Sequence, residues 1–391
     1  MGFPALSLVV LVALLGPLLA LPPRWHLPVV LGELAAGIVI GTTGFSLVDS
    51  TDTTFTFLAD IGFALIMFVA GSHVPVGDQR IRSALGQGAL RVALTAAISA
   101  ALGLAIAAIA GLSHAPLYAV LIASSSAALV LPIIESLHLG GPKVLTTMAQ
   151  VAIADTAAIV ALPLAIDPAN AGRAALGALL VAVCAAALFV ALRRFDRMGV
   201  RARVHRLSEQ RKFALELRVQ LVILFALAAL ATLSHVSIML AGFSFGLAVA
   251  AVGEPRRLAR QLFALTEGFL GPLFFVWLGA SLNLRELGVH PTMILLGLAL
   301  GAAAIVAHLV SRFLGQPLPL GMLAAAQLGV PVAAATIGTQ EKLLAPGEAS
   351  ALILGALLTI GASVLAGARA AKSFQSAPSE PGNQLPGPAP S

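Results

Sequence analysis

The chain has 391 residues, 59% of them hydrophobic and 10% charged, with a mean hydropathy of +0.99 and a formal net charge of +6. That profile excludes an ordinary soluble domain and reads as an all-α polytopic membrane protein. The single cysteine, Cys184, lies in an apolar run, so no disulfide framework or metal cluster is on offer, and no cofactor motif is present.

Thirteen apolar segments follow in order, at residues 4–22, 27–48, 54–76, 85–111, 114–134, 144–166, 171–193, 214–234, 236–253, 261–282, 291–313, 318–338 and 347–369. Each is long enough to be a membrane-spanning helix, since about 20 apolar residues suffice. The first lacks a basic leader and reads as a retained span rather than a cleaved signal peptide. Residues 373–391 form a Pro/Ser/Gly tail that reads as disordered.

Charge orients the chain. The segment 193–218 carries Arg193, Arg194, Arg197, Arg201, Arg203, Arg206, Arg211, Lys212 and Arg218. With that loop cytoplasmic, the N-terminus is outside, the C-terminus is inside, and only Arg173, Arg285 and Lys342 of the 23 basic residues face outward. The split obeys the positive-inside rule. The basic loop therefore reads as a topology signal in contact with anionic lipid of the bilayer, not as a nucleic-acid site.

Two pairs of stretches resemble each other. GFALIMFVAGS (62–72) matches GPLFFVWLGAS (271–281), with Gly71 and Gly279 208 residues apart. AAGIVIG (35–41) matches FSFGLAV (243–249), with Gly37 and Gly246 209 apart. An odd number of spans between the halves gives them opposite topology. The expected organisation is a transmembrane domain over 1–372, with repeat one at about 4–166, a linker span and basic loop at about 171–213, and repeat two at about 214–369. Inverted repeats are the architecture of alternating-access transporters.

The sixth span carries Asp155 at its middle. A carboxylate there costs roughly 2.5–3.5 kcal/mol on insertion scales, and it is kept when it lines a pathway, binds an ion or carries a proton. The bland alternative is a protonated Asp bonded between helices. Spans five and twelve each hold a candidate break: ASSSAALVLP (123–132), ending at Pro132, and QLGVPVAAATIG (327–338), with Gly329 and Pro331. Interrupted helices at matched places in two halves point to a midplane ion site. Thr156, Ser124, Ser125, Ser126 and Gln327 are the candidate helpers, offering hydroxyls, freed carbonyls or a hydrogen bond to Asp155 or the ion. Each has the ordinary alternative of bonding its own or a neighbouring helix. Glu33, Asp60, Glu135 and Glu267 read as interfacial caps or vestibule charges.

At these residues the chain resembles the monovalent cation:proton antiporter family, which includes sodium/hydrogen exchangers and potassium-efflux antiporters, over about residues 5–370. LPVVLGELAAGIVIG (27–41), LADIGFALIMFVAGS (58–72) and GPLFFVWLGASLNLREL (271–287) are similar to family segments. SSSAALVLPIIESLHL followed by MAQVAIADTAAIV resembles the crossed helix and the carboxylate helix, and it puts Asp155 at the family's ion- and proton-binding aspartate. Several accessory charges of the family are replaced here. Ala154 stands where the family usually has Asn, Asp or Gln before the aspartate, His73 stands where an acid often follows the Gly of span three, Ala303 stands at the place of a span-eleven cation with His308 nearby, and LGVPV stands near the place of the family's Arg-Gly-Glu triplet. The resemblance implies a homodimer.

The expected function is secondary antiport of Na⁺ or K⁺ for H⁺ by alternating access in the plasma membrane, electroneutral because one carboxylate carries the exchange. The transported cation is the only metal expected. A passive cation channel or uniporter, and a sodium-coupled organic-anion carrier, are the alternatives on the same scaffold. No nucleophile–base pair, metal set or phosphate loop suggests an enzyme.

Overall fold

A computed structural model describes residues 1–21, 29–72, 79–198, 214–234, 236–252 and 256–374. Most of the basic loop, Arg24, His73 and the tail from 375 lie outside them, as do the side chains of Pro132 and Glu135. The described residues form helices and no strand. A bilayer imposes this, because backbone groups in hydrocarbon must be paired within their own segment.

The first half comprises α1 (Phe3–Ala13), α2 (Leu15–Ala20), α3 (Val29–Ile40), α4 (Thr53–Ser72), α5 (Gln79–Ala110), α6 (Ala115–Ala123), α7 (Ala127–Ser136), α8 (Pro142–Ile166) and α9 (Ala171–Arg197). The second half comprises α10 (Leu215–Leu233), α11 (Ile238–Val252), α12 (Arg256–Leu265), α13 (Gly271–Ser281), α14 (Leu284–Val289), α15 (Pro291–Leu309), α16 (Leu318–Ala324), α17 (Gly329–Gln340) and α18 (Glu348–Phe374). Ten stretches are long and apolar enough to cross a membrane, and three shorter apolar helices accompany them. Together these match the thirteen expected segments one for one. A single π-helical turn, Thr266–Leu270, joins α12 to α13.

Two groups of helices organise the molecule. In the first, α3 packs on α13 and α4 on α11. Lipid gives apolar helices no hydrophobic reason to associate, so close packing through small residues holds them together. A Cβ at Gly37 would fall on the Val276 carbonyl oxygen, and one at Gly279 on that of Leu34. A Cβ at Gly71 would fall on the Phe243 carbonyl oxygen, and one at Gly246 on that of Phe68. The contact between Gly37 and Gly279 is thus repeated by Gly246 and Gly71, the residues to which the sequence repeat maps them. Phe63 of α4 stacks on Phe274 of α13 and so ties the two pairs together, with ring centroids 4.8 Å apart.

The second group contains α5–α8 and α15–α18. Here α6 and α7 are one span broken at 124–126, and α16 and α17 are one span broken at 325–328. The breaks therefore fall at the serines and around Gln327, not at the prolines. The helix runs on through Pro132, and Gly329 and Pro331 lie in the first turn of α17. A first-turn proline is tolerated because its missing N–H has no intrahelical acceptor. Two carboxylate bonds hold the start of α6 to α18: Glu348, fully buried, accepts from Tyr118 Oη at 2.5 Å and pairs with His114 Nδ1 at 2.8 Å, while it also accepts the Ala345 N–H at 2.8 Å just ahead of its own helix.

The glycine seam yields a stability prediction. Gly37→Ala and Gly279→Ala should each destabilise the fold by about 1–3 kcal/mol, the cost of overpacking a tight contact. Gly361→Ala, in open space on α18, should be neutral or stabilising by up to about 1 kcal/mol from helix propensity alone. Thermal melting of the purified protein in detergent separates the two classes.

Candidate functional site

The site is built where the two broken spans meet. Breaking an α-helix inside a membrane frees carbonyls at one half-helix end and amides at the next, and it leaves a partial negative charge at the first end and a partial positive charge at the second. Four such ends come together here, and each is met by a named group.

The N-terminal end of α7 is met by Asp155. Its Oδ2 accepts the Ala127 N–H at 2.9 Å, and the residue is only 5% exposed. The helix α8 carries it at mid-length. A carboxylate is well placed at a helix N-terminus, since it accepts an orphan amide and faces the positive end of the dipole.

The C-terminal end of α6 is met by Gln327. Its Nε2 donates to the Leu121 carbonyl at 2.6 Å and lies 3.4 Å from the carbonyl oxygens of both Ile122 and Ser124. The C-terminal end of α16 is met by Ser125, whose hydroxyl donates to the Ala324 carbonyl at 2.6 Å. Each break thus supplies the side chain that satisfies the other span's freed carbonyl. Beside the fourth end, just before α17, the Gln327 N–H donates to Thr359 Oγ1 at 3.2 Å.

The expected helpers are therefore distributed differently from expectation. Ser124, Ser125, Ser126 and Gln327 are all buried at the meeting point. Gln327 bonds to the backbone of span five and not to Asp155. Ser124 donates to its own helix at Leu121, 2.8 Å away. Thr156 donates to its own helix at Ala152, also 2.8 Å away. The carbonyl of Ser126 accepts the Leu129 and Val130 amides and so begins α7. Gln150, one and a half turns before Asp155, accepts from Gln316 at 2.8 Å.

Two participants were missed by sequence reasoning. Thr359 lies 204 residues after Asp155, close to the repeat offset, so that offset was the signal that could have found it. His308 is fully buried, and its Nδ1 donates to the Ala304 carbonyl at 2.9 Å while Nε2 stands 3.3 Å from Ser125 Oγ. The sequence places it deep in its span, nearer the cytoplasmic end, with nothing to tie it to the break. Only the packing of α15 on α6 brings it there.

Chemically, the arrangement combines one ionisable oxygen pair with backbone carbonyls and hydroxyls in a dry environment. Those are hard oxygen donors, suited to an alkali cation or a proton, and without the thiolate or imidazole set that a transition metal favours. Among the described residues, no group of three His, Cys, Asp or Glu side chains is placed to hold a metal ion.

The profile of the transmembrane sodium/hydrogen exchanger family matches residues 10–367. The chain is 24% identical over 377 residues to YjbQ of Bacillus subtilis, covering 90% of this chain and 61% of that protein. It is 27% identical over 339 residues to the Na⁺/H⁺ antiporter NhaS5 of Synechocystis, covering 82% of this chain and 48% of that protein. The chain thus spans about half to three-fifths of the length of these two relatives. Among solved structures, the sodium proton antiporter MjNhaP1 of Methanocaldococcus jannaschii is similar in fold. Its TM-score is 0.64 at 17% identity, and the match covers 95% of this chain and 99% of that one.

The bond to Ala127 makes a prediction separate from transport. Asp155→Asn keeps an oxygen that can accept the amide, whereas Asp155→Ala leaves a buried N–H unpartnered at a cost of about 1–3 kcal/mol. The Ala variant should therefore melt lower than the Asn variant. Equal melting of the two would show that this bond does not hold the start of α7.

Proposed function

The chain belongs to the sodium/hydrogen exchanger family, and from that premise we propose that it is a secondary antiporter exchanging Na⁺ or K⁺ for H⁺ at Asp155. The observation that carries the proposal is a buried carboxylate at mid-span, bonded to the N-terminal end of a half-helix where two interrupted spans meet. The names of NhaS5 and MjNhaP1 as Na⁺/H⁺ antiporters agree with it.

The mechanism follows from the cost of charge in a dry interior. The ionised carboxylate must be neutralised before it can face the hydrocarbon. A proton does this by covalent attachment. A cation does it by coordination, with hydroxyls and carbonyls of the breaks replacing part of its hydration shell. The two therefore compete for one site. If either loaded form can reorient and the empty ionised form cannot, exchange is obligatory. One carboxylate then carries one cation in one direction and one proton in the other, an electroneutral cycle. Ser124, Ser125, Ser126 and Thr156 are within the segments from which the remaining ligands would come, with Gln327 supporting the α6 end.

The repeats at about 4–166 and 214–369 would be the two halves that rearrange between states, joined by the linker span and basic loop at about 171–213. The distribution of Lys and Arg supports an N-terminus outside, a C-terminus in the cytoplasm and residence in the plasma membrane. A homodimer follows from the family reading.

The test uses purified protein in liposomes with a pH-sensitive dye inside. An imposed Na⁺, K⁺ or Li⁺ gradient should drive opposite proton movement in the wild type and build no membrane potential. The Asp155→Asn protein should fall to the rate of protein-free vesicles. Cation flux without protons would instead mark a channel. Flux of neither kind would mean that the scaffold serves another substrate.

A further inference from the structure

The four half-helix ends at the crossing are chemically unequal. Three are met by neutral groups: the Gln327 amide, the Ser125 hydroxyl and the Thr359 hydroxyl. One is met by an acid, Asp155. The end of α6 is the unusual one. Besides Ser124, which bonds the Leu121 carbonyl from its own chain, it is met by a nitrogen lying 2.6, 3.4 and 3.4 Å from three backbone carbonyl oxygens, on a side chain that is 4% exposed. Converging carbonyls at the negative end of a helix are what a dehydrated monovalent cation seeks. The equivalent end of α16 is met by the shorter Ser125, through one carbonyl.

We propose that Gln327 is a built-in neutral occupant of a second cation position, and that it thereby fixes the crossing at one bound cation. The inference rests on the antiporter reading and deepens it. The amide supplies donor hydrogens to the carbonyl cluster, as a cation would supply charge, but it adds no charge and does not leave. The end of α6 is then satisfied in every state of the cycle. Only the α7 end, where the partner can ionise, changes its charge. A side chain of the same size that ionises would remove the donor and leave a negative group facing three carbonyls. That arrangement requires a cation or a proton. Gln327→Glu is this change, with almost no change in volume.

Equilibrium binding of radiolabelled Na⁺ to the full chain in detergent, with melting curves to verify folding, tests the idea. The wild type should bind one Na⁺ per chain and the Asp155→Asn protein none. The Gln327→Glu protein should bind two, a doubling, and the Asp155→Asn/Gln327→Glu double variant should regain one. A folded Gln327→Glu protein that still binds one overturns the proposal. So does a double variant that binds none. Two Na⁺ per wild-type chain would overturn it without any variant. A wild type that binds neither Na⁺ nor K⁺ would overturn the antiporter reading itself, and this inference with it.

Discussion

Broken helices inside a bilayer are governed by one constraint: every backbone polar group that a break frees must find a partner in the protein, because lipid offers none. This molecule breaks two spans at the same depth and brings the breaks together. Ser125 of one break satisfies Ala324 of the other span, and Gln327 of the other break satisfies Leu121 of the first. The partners lie about 200 residues apart in sequence, so each break is bonded to the other half of the chain. The crossing is a mutual solution, and the glycine seams between α3 and α13 and between α4 and α11 are its counterpart in the first group of helices.

How much of this is legible in the sequence depends on the range of the interaction. The spans are legible because burial in lipid imposes a local composition. The seams are legible because close backbone approach demands glycine at both members of a pair, and the repeat exposes Gly37, Gly71, Gly246 and Gly279 at a common offset. Asp155 is legible because a mid-span carboxylate is costly. The break positions are less so. Pro132 and Pro331 attract attention, yet the chain opens at 124–126 and 325–328: Pro331 lies in the first turn of α17, where proline breaks nothing, and α7 runs on through Pro132. What opens the chain is the availability of side chains on another span to meet the freed groups.

The partners of individual side chains are the least legible part. Thr156 stands next to Asp155 in sequence but bonds Ala152, because neighbours on a helix face different directions. Gln327 is expected near Asp155 or the ion and instead serves the C-terminal end of α6, at the break in span five. His308 reads as an ionisable residue deep in its own span, nearer the cytoplasmic end, and reaches Ser125 only through the packing of α15 on α6. No local pattern encodes the last two contacts, whose partners lie 206 and 183 residues away.

The repeat also exposes an asymmetry that bears on the chemistry. Contacts at the crossing come in related pairs: Ser125 with Ala324 and Gln327 with Leu121, then Ala127 with Asp155 and Gln327 with Thr359. In the last two pairs the acceptor on the long helix is a carboxylate in one half and a hydroxyl in the other. A fully symmetric crossing would have two acids in contact with two positive helix ends, and two sites to load. Thr359 replaces one of them with a group that satisfies the amide and cannot ionise. Ala154 likewise leaves Asp155 without the polar neighbour that the family usually keeps. The chain has retained the hydrogen bonds that a broken helix requires and confined ionisation at the four half-helix ends to Asp155. That is the arrangement expected if the count of exchanged charges is set by the absence of a second acid rather than by the shape of the site.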